Sequence, residues 1–252
     1  MLRTILRCSL PAIALFIVIE LAMVGAVEFW PDFKGNIGAL KFFTQFKVLR
    51  GLLGLLKEGE LPAYIIFQHF FKGSMFVVTA AVLLAVNSVA NEAHRGTLEI
   101  WMARPVSRTR LLMERYIVGA LQLLVPFFLA TWTIPTLLTR WDETLPLEPL
   151  MLGSVHLSCM LLAVYSTTFF FSTIGRHPIR IAASMLFFCV LQLALYLTME
   201  ATHYSLVRLV DPRLFIDLFS TLKLDWEICG GLLGYSALCI GASIFAFRRR
   251  LP

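Results

Sequence analysis

Apolar and polar stretches alternate along this chain in a regular way. Six long apolar runs, at about 9–30, 63–89, 111–138, 150–174, 181–199 and 226–246, are separated by short charged segments. A helix needs roughly 20 apolar residues to cross the hydrocarbon of a bilayer, and each run is close to that length. The pattern predicts an all-α polytopic membrane protein with six transmembrane helices in a single domain, 1–252. Glu28 and Trp30 lie at the far end of the first run, where an aromatic ring can sit among headgroups. Pro31 then breaks the helix. Within 31–62, apolar residues such as Phe42, Phe43, Phe46, Leu49, Leu52 and Leu53 recur at helical spacing among Lys34, Lys41, Lys47, Arg50 and Lys57. That segment reads as amphipathic interfacial helices on the outer side, either closing the outer mouth or forming a lid over an exit. Residues 200–225 read as a second outer segment, a short helix plus turn near Asp211-Pro212. Gly175-Arg176-His177-Pro178 reads as a tight hairpin turn.

Composition agrees with the pattern. The chain is 58% hydrophobic and 15% charged, against about 25% charged in an ordinary soluble domain. It lacks the polar surface a water-soluble fold needs. The net charge of +6 therefore points to topology and not to nucleic acid. Arg3, Arg7, Arg95, Arg104, Arg108, Arg110, Arg176, Arg180 and Arg248–Arg250 all fall on one side of a six-span layout. The positive-inside rule places that side, with both termini and the 90–110 loop, in the cytoplasm. The expected location is the cell (inner) membrane, multi-pass. Arg3 and Arg7 followed by an apolar stretch resemble a signal peptide, but Glu20 interrupts the run, so it reads as an uncleaved first span. The five cysteines include no CxxC pair and sit mostly in apolar runs, which argues against a disulfide framework or structural zinc.

Candidate chemistry is sparse. No GxxxxGK[ST] sequence is present, so this chain cannot cradle ATP phosphates itself. No HExxH, GxSxG or paired-carboxylate pattern occurs, which weighs against an enzyme and leaves no cofactor bound by this chain. The 90–110 loop is the most charged segment. A helix is predicted from about Thr97 to residue 103, presenting Leu98, Trp101 and Met102 beside Glu92 and Glu99. Pro105 stops it, and Ser107 or Thr109 caps the next span. Such a helix suits docking into a partner's groove; the alternative is a solvated connector held by Trp101 and snorkelling arginines. Glu20 and Lys72 lie inside apolar runs, where ionisable groups are costly. They are expected to pair across spans one and two, the alternative being an outward-snorkelling Lys72 beside a protonated Glu20. His156, Cys159 and Met160 share one helical face and are of the type that contacts Cu(I). Packing is the favoured use, so no metal site is assigned. Gly230 and Gly234 form a GxxxG that can pack within the subunit or across a dimer.

The stretch NEAHRGTLEIWMARPVSRTRLLMERYIVGAL resembles the signature of ABC-2 type transporter permeases. The matching positions are Glu92, Gly96, Thr97, Leu98, Glu99, Arg104, Pro105, Val106, Ser107, Arg108, Leu111, Leu112 and Arg115. The upstream FWPDFKGNIGALKFF and LLGLLKEGELPAYI are similar to that family's outer segment. The resemblance implies a half-transporter in which a second permease subunit, identical or different, completes the pathway. It implies a cytoplasmic ABC ATPase subunit that carries ATP and Mg. The 90–110 loop would be its coupling helix, with Glu92, Gly96, Thr97, Leu98, Glu99, Trp101, Arg104, Pro105 and Arg108 as contacts. Membrane lipid is the remaining partner, and no nucleic acid is expected. The function implied is an exporter. The alternatives are a mechanical transmitter to an outer-side protein and an integral membrane enzyme acting on lipid.

Overall fold

The structure is a computed structural model that describes residues 2–35, 61–102, 106–198 and 202–249. The described residues form helices and turns with no strand. Among the described residues, six helices are long and apolar enough to cross a membrane: Ser9–Glu28, Leu61–Ser88, Arg108–Trp141, Leu147–Ile174, Pro178–Leu197 and Trp226–Arg249. These are spans 1 to 6, and they fall on the six predicted runs. Most of the predicted outer segment, residues 36–60, lies outside the described residues, as do Arg104 and Pro105.

The ends differ from the predicted ones by up to three residues. The described part of span 2 runs from Leu61, with Pro62 within it. Span 5 begins at Pro178, where the missing N–H costs nothing. Span 3 starts at Arg108 because the Ser107 hydroxyl accepts the Arg110 N–H at 3.3 Å and caps the helix in solvent, ahead of the apolar run. Pro126 and Pro135 sit inside span 3, and Pro11 inside the helix of span 1. Such prolines are tolerated in membrane helices because neighbouring groups satisfy the freed carbonyls. Between spans 5 and 6, Asp211 caps a helix at Pro212–Thr221 that buries Phe215 and Leu218.

Span 4 is the central helix, packed against spans 2, 3 and 6, while span 1 packs mainly on span 3. The core joins Leu123, Phe127 and Ala130 of span 3 with Leu157, Leu161, Tyr165 and Phe169 of span 4 and Val77, Ala81 and Ala85 of span 2. Gly119 and Gly153 admit the closest approaches: a Cβ would lie 2.1 Å from Tyr165 Oη at the first and 2.8 Å from Phe70 Cζ at the second. Apolar side chains such as Leu10, Ile13, Leu21, Phe187 and Leu238 face outward from the bundle.

Two features of span 2 and span 6 were not visible in sequence. Ile66–Lys72 is a π-helical stretch inside span 2. It turns His69 fully inward, where Nε2 is hydrogen-bonded with Thr131 Oγ1 at 2.9 Å and the ring stacks on Phe127 at 5.1 Å. Thr131 also meets Ser154 at 2.8 Å, so one polar chain ties spans 2, 3 and 4. On span 6, Gly230, Gly234 and Gly241 have no atom within 4 Å of a built Cβ. The GxxxG therefore faces away from this subunit.

The expected Glu20–Lys72 pair is not formed. Glu20 accepts from Thr133 Oγ1 of span 3 at 2.9 Å. Lys72 donates to Gln68 Oε1 at 3.1 Å and lies 5.6 Å from the Phe67 ring, on an exposed face. Span 1 packs chiefly on span 3, so its one internal carboxylate meets a span 3 hydroxyl before it can reach Lys72.

Candidate functional site

The site is the connection between spans 2 and 3. Span 2 ends at Ser88, and Val89 leaves helical geometry with φ −132°. Two short helices follow, Ala90–His94 and Thr97–Met102, joined through Arg95 and Gly96. Gly96 has φ +72°, the left-handed region that glycine enters without a Cβ penalty. That residue lies in the turn between the two short helices. The predicted single helix from about Thr97 is thus the second half of a bent pair.

Three contacts brace the bend, each to a different part of the bundle. The Ala90 N–H, which the break at Val89 deprives of a helical partner, donates to Ser172 Oγ of span 4 at 2.8 Å. Leu98 is buried in the main core, 3% exposed, so the second helix is seated and not floating. Glu92 does the rest. Its carboxylate accepts from the Thr97 hydroxyl across the bend, and that hydroxyl is also 3.2 Å from the Glu92 carbonyl. The same carboxylate lies 3.9 Å from Arg115 Nη1 of span 3. Arg115 in turn donates to the Ser88 carbonyl, the last residue of span 2, at 2.5 Å. Charge-assisted hydrogen bonds of this kind are about twice as strong as neutral ones. Glu92, Thr97 and Arg115 thereby lock the end of span 2, the bend and the start of span 3 into one unit.

The outer rim of the bend faces outward among the described residues, with the His94 ring 6.3 Å from that of His177 in the turn between spans 4 and 5. His94, Arg95, Gly96 and Ile100 are exposed, and Ile100 is 67% exposed although it is a large aliphatic residue. Glu99 and Trp101 lie on this second helix, but their side chains are outside the described residues. Arg108 stands apart from the brace: its Nη1 donates to the Arg248 carbonyl at 3.3 Å, and Arg248 Nε donates to Thr109 Oγ1 at 3.1 Å. These bonds fix the end of span 6 to the start of span 3. The predicted positions therefore separate by what they touch. Glu92, Thr97 and Leu98 face inward, Gly96 makes the turn, and Arg108 holds the C-terminal helix. Ser172 and Ile100 were not singled out from sequence. Ser172 looks like any hydroxyl in an apolar run, and Ile100 looks like a core residue.

The other candidates are dispersed. His156 Nε2 donates to the Leu209 carbonyl at 2.9 Å, and its Nδ1 meets Cys229 Sγ of span 6 at 3.4 Å. Cys159 donates to Val155 O, and Met160 packs among apolar residues. His156, Cys159 and Met160 are thus not brought together as a ligand set, because the His156 ring turns toward the 206–210 segment and span 6. Among the described residues no group of three His, Cys, Asp or Glu side chains could hold a metal ion.

No curated protein matches the sequence significantly. The family described as "ABC-2 family transporter protein" matches residues 12–249, nearly the whole chain. A six-helix membrane bundle with a bent, braced connection between spans 2 and 3 agrees with that match, and the chain belongs to the ABC-2 transporter family, as a permease subunit of the kind that partners with an ABC ATPase.

Proposed function

We propose that this chain is the membrane-spanning half of an ATP-driven exporter of the cell (inner) membrane. Both termini and the 90–102 helical pair lie in the cytoplasm, and the pair docks into a separate ATPase subunit. The observation that carries this reading is the form of the bend: braced on three sides, with an exposed aliphatic residue on its outer rim. The end of the bundle that holds it also holds Arg95, Arg110, Arg176, Arg180, Arg248 and Arg249, which supports the cytoplasmic assignment. Ile100 beside charged neighbours is the composition of a short helix that seats in a groove.

The brace explains how force is passed on. A push on the pair reaches span 4 through Ala90–Ser172, the core through Leu98, and spans 2 and 3 through Glu92–Arg115–Ser88. Three spans then move with the pair as a rigid unit. Closing of two ATPase subunits around ATP and Mg drives that motion, and the spans switch access from one side to the other. A second permease subunit, identical or different, completes the pathway; the outward glycines of span 6 are available for such packing.

The test is co-reconstitution in proteoliposomes with the ATPase. The permease should raise ATP hydrolysis, and Ile100→Asp should abolish the increase while the permease remains folded. Hydrolysis unaffected by Ile100→Asp would overturn the docking role.

A further inference from the structure

Span 5 stands off from the bundle. Of its side chains only Met185 and Tyr196 are buried. It is tied at one end by the Gly175–Pro178 turn. At the other end, Ser205 Oγ donates to the Gln192 carbonyl at 2.6 Å, the Leu206 N–H donates to Gln192 Oε1 at 2.8 Å, and Tyr196 donates to Asp211 at 3.0 Å. Between these ties lies a cleft of about 980 Å³, walled by spans 2, 4, 5 and 6. Its lining is almost wholly apolar, with Val78, Val164, Met185 and Leu232 among the walls. The 206–210 segment roofs it at the Gln192 end. At the opposite end, the end that carries the 90–102 pair, its rim is Arg180.

Arg180 is exposed and has no hydrogen-bond or ion-pair partner among the described residues. A guanidinium in that position matches a phosphate oxygen pair. From Arg180 to Leu193, thirteen residues of span 5, the cleft runs about 20 Å at the helical rise. One leaflet of the hydrocarbon core is roughly 15 Å deep, half the full core. An acyl chain that starts at the headgroup level therefore fits within the cleft.

We propose that this cleft is a binding site for one anionic glycerophospholipid, its phosphate on Arg180 and an acyl chain between span 5 and spans 2 and 4. The lipid fills the gap that span 5 leaves and holds that span at its distance. The site does not depend on coupling to an ATPase; only its leaflet does, since the cytoplasmic assignment places Arg180 on the inner one.

Native mass spectrometry of the purified full chain, titrated with phosphatidylglycerol in mild detergent, tests the proposal. One phosphatidylglycerol per chain should be retained. Arg180→Gln should weaken retention about five- to tenfold, with Arg180→Lys falling between Arg180→Gln and the parent, because an ammonium keeps the charge and loses the paired donors. Ser184→Trp fills the cleft from an exposed position and should also release the lipid. Glycerol phosphate, which has the headgroup charge without the chains, should not bind, and diacylglycerol should bind weakly. Retention that is equal in the parent, Arg180→Gln and Ser184→Trp would overturn the proposal. So would an efficient Ser184→Cys disulfide between two copies, which would make the cleft a subunit interface.

Discussion

Gly96 carries the sharpest prediction, because its surroundings separate backbone from side-chain effects. Its φ is +72°, and a Cβ built there meets no atom within 4 Å. Replacement therefore creates no clash, and the whole cost is the left-handed backbone. For an L-residue that cost is about 1–2 kcal/mol, with Asn among the few side chains that tolerate it. A straighter connection, with Thr97 drawn away from Glu92, would relieve that strain. A penalty of ~1–2 kcal/mol changes the ratio of bent to straighter forms by about 5- to 30-fold. If only the bent form binds the ATPase, apparent affinity falls by at most the same factor. The assay is the dissociation constant of the purified ATPase subunit for the permease in nanodiscs. Gly96→Val should approach the upper end of that range, Gly96→Ala should lie below it, and Gly96→Asn should stay within about threefold of the parent. Equal binding by Gly96→Val and the parent would refute the requirement for the bend. A loss in Gly96→Asn as large as in Gly96→Val would show that the surface itself, and not the backbone, is at stake.

Three further outcomes follow from the contacts. Glu92→Gln and Arg115→Met should each lower the thermal unfolding temperature in detergent, at a cost of about 1–3 kcal/mol, and the double variant should cost clearly less than the sum because both remove one network. Additive losses would mean that the two residues act separately. Gly153→Ala should destabilise by about 1–3 kcal/mol by pressing on Phe70, while Gly234→Ala on span 6 should leave subunit unfolding unchanged; equal effects at the two sites would contradict the packing described. Exchanging charges with Glu20→Lys and Lys72→Glu should not restore assembly lost in either single variant, because the two side chains have different partners; rescue in the double variant, read by size-exclusion chromatography, would restore the ion-pair idea.

The spans were legible because length and hydropathy decide them: a run of twenty apolar residues has few other fates. Their ends were less so. Arg108–Arg110 and Arg248–Arg249 continue their helices beyond the apolar runs, and hydropathy marks where a helix leaves the hydrocarbon, not where its hydrogen bonds stop. Rotation about each helix axis was not legible at all. A span that is apolar on every face does not announce which face is inward. So Glu20 meets Thr133 and not Lys72, and no pattern in the sequence marks the His69–Thr131–Ser154 chain across three spans. The π-helical Ile66–Lys72 stretch added a further change of phase to span 2 that no local residue signals. In the 90–102 connection the family signature was readable, and of the two cap candidates, Ser107 and Thr109, the helix uses Ser107. What could not be read was direction. Glu92 looks like a surface charge in sequence, yet it points inward because Thr97 and Arg115 lie there. The outer rim instead includes Ile100, whose exposure only the fold reveals.

The central claim is that the 90–102 pair is where the ATPase acts. Placing a photo-crosslinking phenylalanine analogue at Ile100, and separately at Tyr204 at the other end of the bundle, tests it in intact cells. Both side chains are exposed, 67% and 80%, so reagent access does not distinguish them. Capture of the ATPase subunit from Ile100 and none from Tyr204 is the predicted result. Capture from Tyr204, or none from Ile100 when the complex co-purifies, would contradict the account.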